Sequence, residues 1–268
     1  MTIHYRTVWI SDTHLGTKSC KAEYLRDFLD HVECDTLYLV GDIIDLWSWN
    51  IKSGFYWPTL HSDIVQRVIN KARQGTRVIY IPGNHDEQFR KHAGFQFNGI
   101  NIQLNAIHKT QNGQRFLVMH GDEFDSIVSD NRFLAHIGGE AYEWLLVVNR
   151  WLNNLQKLLG YKNWSLSAFL KHKVKNIIQF MDNYQHVMSL EAHKHQVDGI
   201  ICGHIHHADI STMESGKTYC NTGDWVESCT ALVEDEVGEL SLIHWLEDSY
   251  KLLDTDHQPP QRKLAKTT

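Results

Sequence analysis

The sequence predicts an α/β protein whose first part is a parallel β-sheet covered by helices. Over residues 7–81, short apolar runs typical of buried strands alternate with amphipathic segments of helical periodicity. Each apolar run also stops at a short group of polar residues. Because parallel neighbouring strands need a crossover between them, this alternation favours a parallel sheet with helices on its faces. At 268 residues, the chain is long enough for one large domain or two smaller ones.

Three strands and two helices are predicted in this first part. Residues 24–32 and 64–72 carry apolar side chains three or four positions apart, as amphipathic helices do. Gly75 is expected to end the second helix, because glycine readily adopts the left-handed conformation that follows a helix. The predicted strands are Thr7 to Ile10, Thr36 to Val40 and Arg77 to Ile81.

The rest of the chain is predicted to return to strands after a helical insertion. Strands are expected at Phe116 to Met119 and Val197 to Cys202, whereas residues 122–196 show only helical periodicity. A connection of this length is either a lid or binding element, or a helical layer packed on the sheet. Three later runs, separated by turns, are expected to be antiparallel strands of a second sheet: Thr218 to Asn221, Thr230 to Val233 and Leu240 to Trp245.

This division predicts a core of residues 1–121 and 197–250, with a disordered polar tail at residues 251–268. The formal charge of −6 argues against broad nucleic-acid binding, which requires many basic residues. Five scattered cysteines without a Cys-x-x-Cys pair predict reduced thiols in a cytoplasmic protein. No segment is long and apolar enough to cross a bilayer, so we expect a soluble protein or one lying on a membrane surface.

Candidate metal ligands follow the predicted strands. Asp12 and His14 are two residues apart, and two residues of an extended segment at this spacing point to the same side. His204 and His206 repeat the pattern. Because ligands collect beyond the carboxyl ends of parallel strands, these side chains are expected to lie together. The complete set is Asp12, His14, Asp42, Asn84, His120, His204 and His206.

Seven ligands are too many for one tetrahedral zinc ion, but they suit two divalent ions that share a bridging carboxylate. A mixed nitrogen and oxygen set without sulfur favours Mn²⁺, with Fe or Zn²⁺ as alternatives, over Ca²⁺. A single Asp or His at a strand end is more often a cap or a solvated turn residue. The seven candidate ligands, however, lie in five separate polar segments, each at the end of a predicted strand. This common placement makes that explanation improbable for the set as a whole.

The five blocks resemble, in chain order, the motifs of calcineurin-like metallophosphoesterases. The resemblance implies a four-layer β-sandwich flanked by helices, with a dinuclear centre at the strand ends. It also implies that His85 protonates the leaving oxygen, that Asp45 orients His85, and that Asp42 bridges the two ions. The motifs are Asp12-x-His14, Gly41-Asp42-x-x-Asp45, Gly83-Asn84-His85-Asp86, His120-Gly121 and Gly203-His204-x-His206. One ion would be held by Asp12, His14, Asp42 and His206, and the other by Asp42, Asn84, His120 and His204.

Within the family, the helical insertion is similar to that of enzymes that hydrolyse the diphosphate of a UDP-sugar lipid in the lipid A pathway. The partners implied are that lipid and, peripherally, the cytoplasmic face of the inner membrane. In those enzymes the insertion receives acyl chains; here a stripe of apolar residues from Trp144 to Trp151 would do so, or would belong to the core. The substrate-binding residues implied are Arg132, Ser167, Lys171 and Lys173, although a run of lysines on a helix is usually a solvated face.

Two differences from the residues usual in the family support an alternative enzymatic function. Leu46 follows Asp45, where many protein phosphatases of the family carry Arg, and His85 stands where the best-known UDP-sugar lipid hydrolases carry Arg. A phosphodiesterase or phosphatase for a small soluble ester or nucleotide is therefore the alternative. A non-catalytic scaffold is disfavoured because every ligand position is filled. An aromatic group beside the second motif would stack on a base or sugar, form a lipid groove or join the core: Trp47, Trp49, Phe55, Tyr56 and Trp57.

Overall fold

A computed structural model describes residues 2–48, 54–125 and 183–253. The chain separates into two compact units, one comprising Met1–Asp122 and Ser189–Thr268 and the other comprising Glu123–Met188. The described residues of the second unit are 123–125 and 183–188, and the latter are helical. The predicted insertion and tail stay predictions, since most of their residues lie outside the described ranges.

The first unit contains two β-sheets, as the predicted sandwich requires. The seven-stranded sheet has the order β12-β11-β1-β2-β3-β5-β4, and the five-stranded sheet has the order β6-β7-β8-β10-β9. The strands are β1 (Ile3–Ile10), β2 (Val32–Val40), β3 (Arg77–Ile81), β4 (Gln96–Phe97), β5 (Ile100–Ile102), β6 (Ala106–Lys109), β7 (Arg115–Val118), β8 (Gly199–Cys202), β9 (Asp209–Thr212), β10 (Thr218–Asn221), β11 (Thr230–Glu234) and β12 (Leu240–His244). The helices are α1 (Ala22–His31), α2 (Thr59–Gln74), α3 (residues 183–194) and α4 (Trp245–Leu252).

The parallel core of the first sheet is confirmed, because β1, β2, β3 and β5 run parallel to one another. The expectation that the last three strands form a second sheet is wrong in part. Strands β11 and β12 extend the first sheet, where β11 pairs antiparallel with β1. Only β10 joins the second sheet, and it runs parallel to β8. Alternation and turns predict antiparallel hairpins, but they do not say which sheet a hairpin extends.

Alternating side chains of the first sheet separate two apolar layers. Val8 and Leu37 face the helical side, where they join the core formed with α1, α2 and α4. Trp9, Tyr38 and Ile79 face the opposite way and pack with residues of the second sheet. The Trp9 and Tyr38 rings stack with centroids 5.6 Å apart. A period of two residues along each strand thus produces a sheet that is buried on both faces.

The helix boundaries differ slightly from those predicted. Val32 belongs to β2 rather than to α1, which ends at His31. Gly75 has a φ of 115° and caps α2, as expected. Trp245 begins α4 instead of ending a strand, and its indole Nε1 donates to Asp27 Oδ2 over 2.9 Å. Helix α4 therefore continues through Leu252, two residues into the segment assigned to the tail.

An apolar cavity of about 460 Å³ lies between the helices and the first sheet. Its walls include Leu25 and Leu29 of α1, Ile64 and Val68 of α2, and Leu39 of β2. Protein interiors normally leave few voids larger than a water molecule. Because exposed residues such as Phe95 and Phe97 also line it, the cavity is partly open to solvent and is not a sealed void in the core.

Candidate metal centre

The loops that follow the strands bring the candidate ligands together by adopting an uncommon backbone conformation. Among the described residues, eight non-glycine residues have a positive φ, and five of these are candidate ligands. The loops are therefore left-handed turns at these positions, and not extended segments as the two-residue spacing suggested. Left-handed backbone is uncommon outside glycine, and such residues cluster at functional sites. The values are 50° at Asp12, 46° at His14, 53° at Asp42, 70° at His204 and 52° at His206.

Glycines at three loop positions allow the ligands to approach one another. A Cβ atom at Gly83 would lie 2.3 Å from Asp42 Oδ1 and 2.6 Å from His120 Nε2. At Gly203, it would lie 2.5 Å from Asp12 Oδ2, and at Gly41 it would lie 2.1 Å from His120 Nδ1. Any larger residue would displace a candidate ligand, so the packing of the centre requires glycine at these three positions.

Two groups of donor atoms form where the loops converge. Asp12, His14 and His206 each offer an atom within 4.8 Å of the others, and so do Asp42, His120 and His204. In the first group, His206 Nε2 lies 3.2 Å from Asp12 Oδ1. Each group holds enough protein donors to bind one cation.

Asp42 connects the two groups. Its Oδ2 lies 3.4 Å from His120 Nε2 and 3.9 Å from His14 Nε2, so it faces one member of each group. Asn84 lies between Gly83, which packs against Asp42, and His85, whose backbone N–H donates to Asp42 Oδ1 over 2.8 Å. The sequence thus places all seven candidate ligands in loops that meet around Asp42.

Four atoms of the candidate ligands are buried without a well-formed hydrogen bond: Asp12 Oδ1, His14 Nε2, Asn84 Oδ1 and His120 Nε2. Asp12 Oδ1 and His120 Nε2 have only the ion-pair contacts to His206 and Asp42 described above. Buried polar atoms in native proteins are nearly always hydrogen-bonded, so a group of unpaired ones needs an explanation. The opposite ring nitrogens are fixed, since His14 Nδ1 meets Asp45 Oδ2 at 3.1 Å and His120 Nδ1 meets the Val40 carbonyl at 2.9 Å. This arrangement, with one nitrogen anchored and the other unpaired, is that of metal-binding histidines, and the donor set fits divalent cations.

Charge pairing within the centre is strong. Burial opposes the charged form of His120, but the Asp42 carboxylate outweighs it and raises the pKa of His120 to about 10. In the same way, Asp12 raises the pKa of His206 to about 9 against the effect of burial. Because metal binding needs neutral imidazoles, a cation that enters displaces these protons and takes over the pairing with the carboxylates.

His85 is held at the edge of the centre by Asp45. Asp45 Oδ2 contacts His85 Nδ1 at 2.9 Å and His14 Nδ1 at 3.1 Å, while Oδ1 accepts the Ser48 N–H over 2.8 Å. Burial opposes ionisation of Asp45, but these hydrogen bonds hold its pKa well below the usual range. His85 Nε2 lies 4.0 Å from Asp42 Oδ2, and His85 forms a further donor group with His14 and Asp42. Its position suits a proton donor, and it is also within reach of a cation.

Asp86 connects two of the loops that carry candidate ligands. The residue is fully buried, and its side chain does not cap the short 3₁₀ helix Glu87–His92. Its carboxylate instead accepts hydrogen bonds from Gly83 N (2.6 Å), Ile43 N (2.8 Å), Ile44 N (3.3 Å) and the Tyr80 hydroxyl (2.5 Å). It thereby joins the loop that carries Asp42 to the loop that carries Asn84. No local pattern in the sequence distinguishes such a carboxylate from a cap.

A second bracing group, also missed from the sequence, supports Asp12 and His204. Ser11 Oγ donates to Asp12 Oδ2 and meets Thr222 Oγ1 at 2.5 Å. Asn221 Nδ2 donates to the Gly203 carbonyl over 2.6 Å. The loop after β10 therefore fixes the ligand loops after β1 and β8.

Of the aromatic group, Trp47 contacts the centre directly. Its ring lies 4.0 Å from that of His85, and 56% of the residue is exposed. Phe55 and Trp57 stack on each other with centroids 5.1 Å apart, and Tyr56 lies edge-on to His61. Trp49 and the predicted substrate-binding residues lie outside the described residues: Arg132, Ser167, Lys171 and Lys173.

Comparison with known proteins gives a consistent match. The family model of the calcineurin-like phosphoesterases matches residues 5–208. A UDP-2,3-diacylglucosamine hydrolase of Vibrio cholerae serotype O1 is 24% identical over 88% of this chain and 96% of its own length. The protein of the same name from Vibrio atlanticus is 26% identical over 85% and 93%.

Similar solved structures are more distant. A Vps29 variant from Entamoeba histolytica has a TM-score of 0.41 at 12% identity, with 88% of this chain and 97% of that chain covered. A hypothetical protein from Pyrococcus horikoshii OT3 has a TM-score of 0.46 at 10% identity, with 94% of each chain covered.

None of the helices in the described part of the chain has the length and apolar character that crossing a bilayer requires.

Proposed function

Because the chain belongs to the calcineurin-like phosphoesterase family, it is a metal-dependent phosphoester hydrolase, and we propose that it cleaves the diphosphate of UDP-2,3-diacylglucosamine at a centre of two divalent ions. The products are 2,3-diacylglucosamine 1-phosphate and UMP. The observation that carries the dinuclear centre is the pair of donor groups that meet at Asp42 with four unpaired buried atoms. The substrate rests on relatives of that name that match over most of this chain.

The proposed ligands divide as the two donor groups do. Asp12, His14 and His206 would hold one ion and His120 and His204 the other, with Asp42 between them. The buried Asn84 Oδ1 would add an oxygen to the second ion. Two divalent ions at this centre would polarise the phosphate oxygens and would lower the pKa of a nearby water molecule. Mn²⁺ is the proposed metal, with Fe or Zn²⁺ as alternatives, because the donors are imidazole, amide and carboxylate.

His85 is the proposed proton donor to the leaving phosphate oxygen. Its Nδ1 is fixed by the hydrogen bond to Asp45, which leaves Nε2 facing the centre. A positioned imidazole contributes about 10²- to 10⁴-fold to such a proton transfer. Trp47 packs on the imidazole ring and restricts its rotation, so Asp45 and Trp47 together fix the direction of Nε2.

The substrate is tested with the Mn²⁺-loaded protein on UDP-2,3-diacylglucosamine and on UDP-N-acetylglucosamine, which lacks the long acyl chains. We expect kcat/KM to be at least about 100-fold higher for the acylated substrate, because acyl contacts add binding energy at the transition state. Phosphorus NMR would show UMP and a lipid monophosphate as products. Equal rates on the two compounds would contradict the lipid substrate and favour the alternative of a small soluble ester or nucleotide.

The role of His85 is tested with His85→Ala. We expect kcat to fall by about 10²- to 10⁴-fold while the bound metal, measured by elemental analysis, is unchanged. His244→Ala, which removes an exposed imidazole at the end of β12, serves as the matched control and keeps full activity. A loss of metal from the His85 variant would show that His85 is a ligand and would refute its assignment as the proton donor.

A further inference from the structure

The cavity between the helices and the first sheet offers no free polar group in its interior. Two hydroxyl groups reach its walls, and both are already used. Thr13 Oγ1 donates to the Ile43 carbonyl over 2.8 Å, and the Tyr80 hydroxyl donates to Asp86. The remaining lining is aliphatic or aromatic, apart from His92 and Gln96, which are both exposed at the mouth. A water molecule in such a space would lack the two to four polar partners that it needs, so the cavity suits an apolar occupant.

The size of the cavity also indicates an occupant. Its volume of about 460 Å³ lies within the range of small-molecule binding pockets. The cavity is partly open to solvent, so an occupant can enter it from the surface. If a methylene group takes about 30 Å³, the share of one water molecule in the liquid, the space holds a chain of about 15 groups.

The mouth of the cavity combines exposed aromatic rings with positive charge. Phe95 and Phe97 are 67% and 63% exposed, and both line the cavity together with His92. The 3₁₀ helix Glu87–His92 ends at this point with basic residues in its last turn. Of these, Arg90 is engaged with Asp122 at 2.7 Å, whereas Lys91 and His92 are exposed. Exposed rings next to the Lys91 ammonium suit a molecule with an apolar body and an anionic end.

We propose that this cavity binds one unbranched, long-chain fatty acid, with the hydrocarbon chain inside and the carboxylate at the mouth near Lys91 and His92. The site is separate from the metal centre, which lies at the strand ends, whereas the cavity lies on the helical face of the sheet. Thr13 and Ile43 line the cavity, and each is next to a candidate ligand in the sequence. The bound fatty acid would therefore pack against the loops that carry these ligands. This inference goes beyond the proposed hydrolase activity and does not depend on its substrate.

The binding test uses the full-length, metal-loaded protein and a series of saturated fatty acids, kept below their micellar concentrations, in isothermal titration calorimetry. We expect saturable binding of one fatty acid per chain. Affinity should rise about fourfold per added methylene and level off near 14 to 16 carbons, where the cavity is full. Absence of saturable binding, or a rise without a limit, would overturn the proposal. So would binding to phosphatidylglycerol vesicles without binding of monomeric myristate.

Variants locate the site. Val65→Phe places a larger side chain in the cavity from α2 and should weaken myristate binding at least tenfold without lowering the melting temperature. Phe97→Ser at the exposed mouth, which leaves the core untouched, should weaken binding several-fold. Val237→Ser is the matched control, because Val237 is 65% exposed but lies away from the cavity, and it should have no effect. Unchanged affinity in both cavity variants would overturn the assignment.

The anionic end is tested with Lys91→Glu. This variant should bind myristate several-fold more weakly than the wild type and bind the uncharged alcohol of the same chain length equally well. An equal effect on acid and alcohol would exclude a contact between the carboxylate and Lys91.

Discussion

At the scale of single residues, the centre depends on backbone conformation as much as on donor chemistry. Asp12, His14 and Asp42 all have φ values near 50°, a region that costs an ordinary residue about 1 kcal/mol or more. Three turns of this kind at one place persist only because surrounding hydrogen bonds hold them, among them Asp12 N to the Gly41 carbonyl and His14 N to the Asp42 carbonyl. The strain directs carboxylates and imidazoles toward a common point, where a cation can compensate for it.

Gly83→Ala is predicted to remove metal binding while leaving the fold intact. The new methyl group would lie 2.3 Å from Asp42 Oδ1, so the carboxylate that is proposed to bridge the ions must move. We expect activity to fall at least about 100-fold, since a misplacement of about 1 Å at a catalytic group has that effect. Metal content is measured beside the rate.

Gly113→Ala is the control for this experiment. Gly113 has open space around it and a φ of 94°, so its variant carries backbone strain without contact to the centre. It should lose some stability and keep its activity. If Gly83→Ala retained metal and rate, the close packing around Asp42 would not be required.

At the scale of the elements, β11 fastens the two sheets to each other. Its last residue, Glu234, is fully buried and accepts hydrogen bonds from Thr7 Oγ1 of β1 and His108 Nε2 of β6, each over 2.8 Å. The Gln111 backbone N–H adds a third, at 2.7 Å. Burial opposes the charge of Glu234, but the His108 hydrogen bond and the others outweigh it and hold the pKa below its usual value. One carboxylate therefore links a strand of each sheet.

Glu234→Gln is predicted to lower the free energy of unfolding by about 2–4 kcal/mol at neutral pH. The buried network loses the negative charge, and one of its two acceptor oxygens is replaced by an NH₂ donor that faces other donors. Since the pKa of Glu234 is lower in the folded state, its contribution is fully present above the ordinary value of 4.5. It is lost as the pH falls through the lower folded-state value. Urea unfolding between about pH 7 and pH 3 would show the difference between wild type and variant shrinking toward acid. A difference that stays constant with pH would contradict a role for the carboxylate charge.

At the scale of the whole molecule, the β-sandwich brings loops from distant parts of the sequence together at one site. Strands β1, β2, β3, β7 and β8 end in the loops that supply the ligands, and the first three are adjacent in one sheet while the last two are adjacent in the other. Trp9, Tyr38 and Ile79 pack against residues of the second sheet. This packing holds the strand ends of the two sheets next to each other. Without a bound metal, the buried atoms of the centre that lack hydrogen bonds therefore lower the free energy of unfolding of the whole fold.

Metal removal is accordingly predicted to destabilise the whole first unit. A cation present at 100 times its dissociation constant adds about 2.7 kcal/mol to the free energy of unfolding. Melting curves after treatment with EDTA and after return of Mn²⁺ measure this difference. Asp42→Ala should abolish the response, whereas Glu239→Ala, at an exposed carboxylate of the turn between β11 and β12, should keep it. An equal response in both variants would place the metal elsewhere.

The sequence by itself determined the features that neighbouring residues encode. Apolar runs such as Arg77 to Ile81 predicted the strands, and the polar residues that follow them supplied the candidate metal ligands. The tertiary structure alone decided which sheet β11 extends, because that choice depends on β1, more than 200 residues away. It also decided that Asp86 joins two ligand loops and that a cavity lies between α2 and the first sheet. These features depend on hydrogen bonds and packing between distant segments, which no local period of the sequence records.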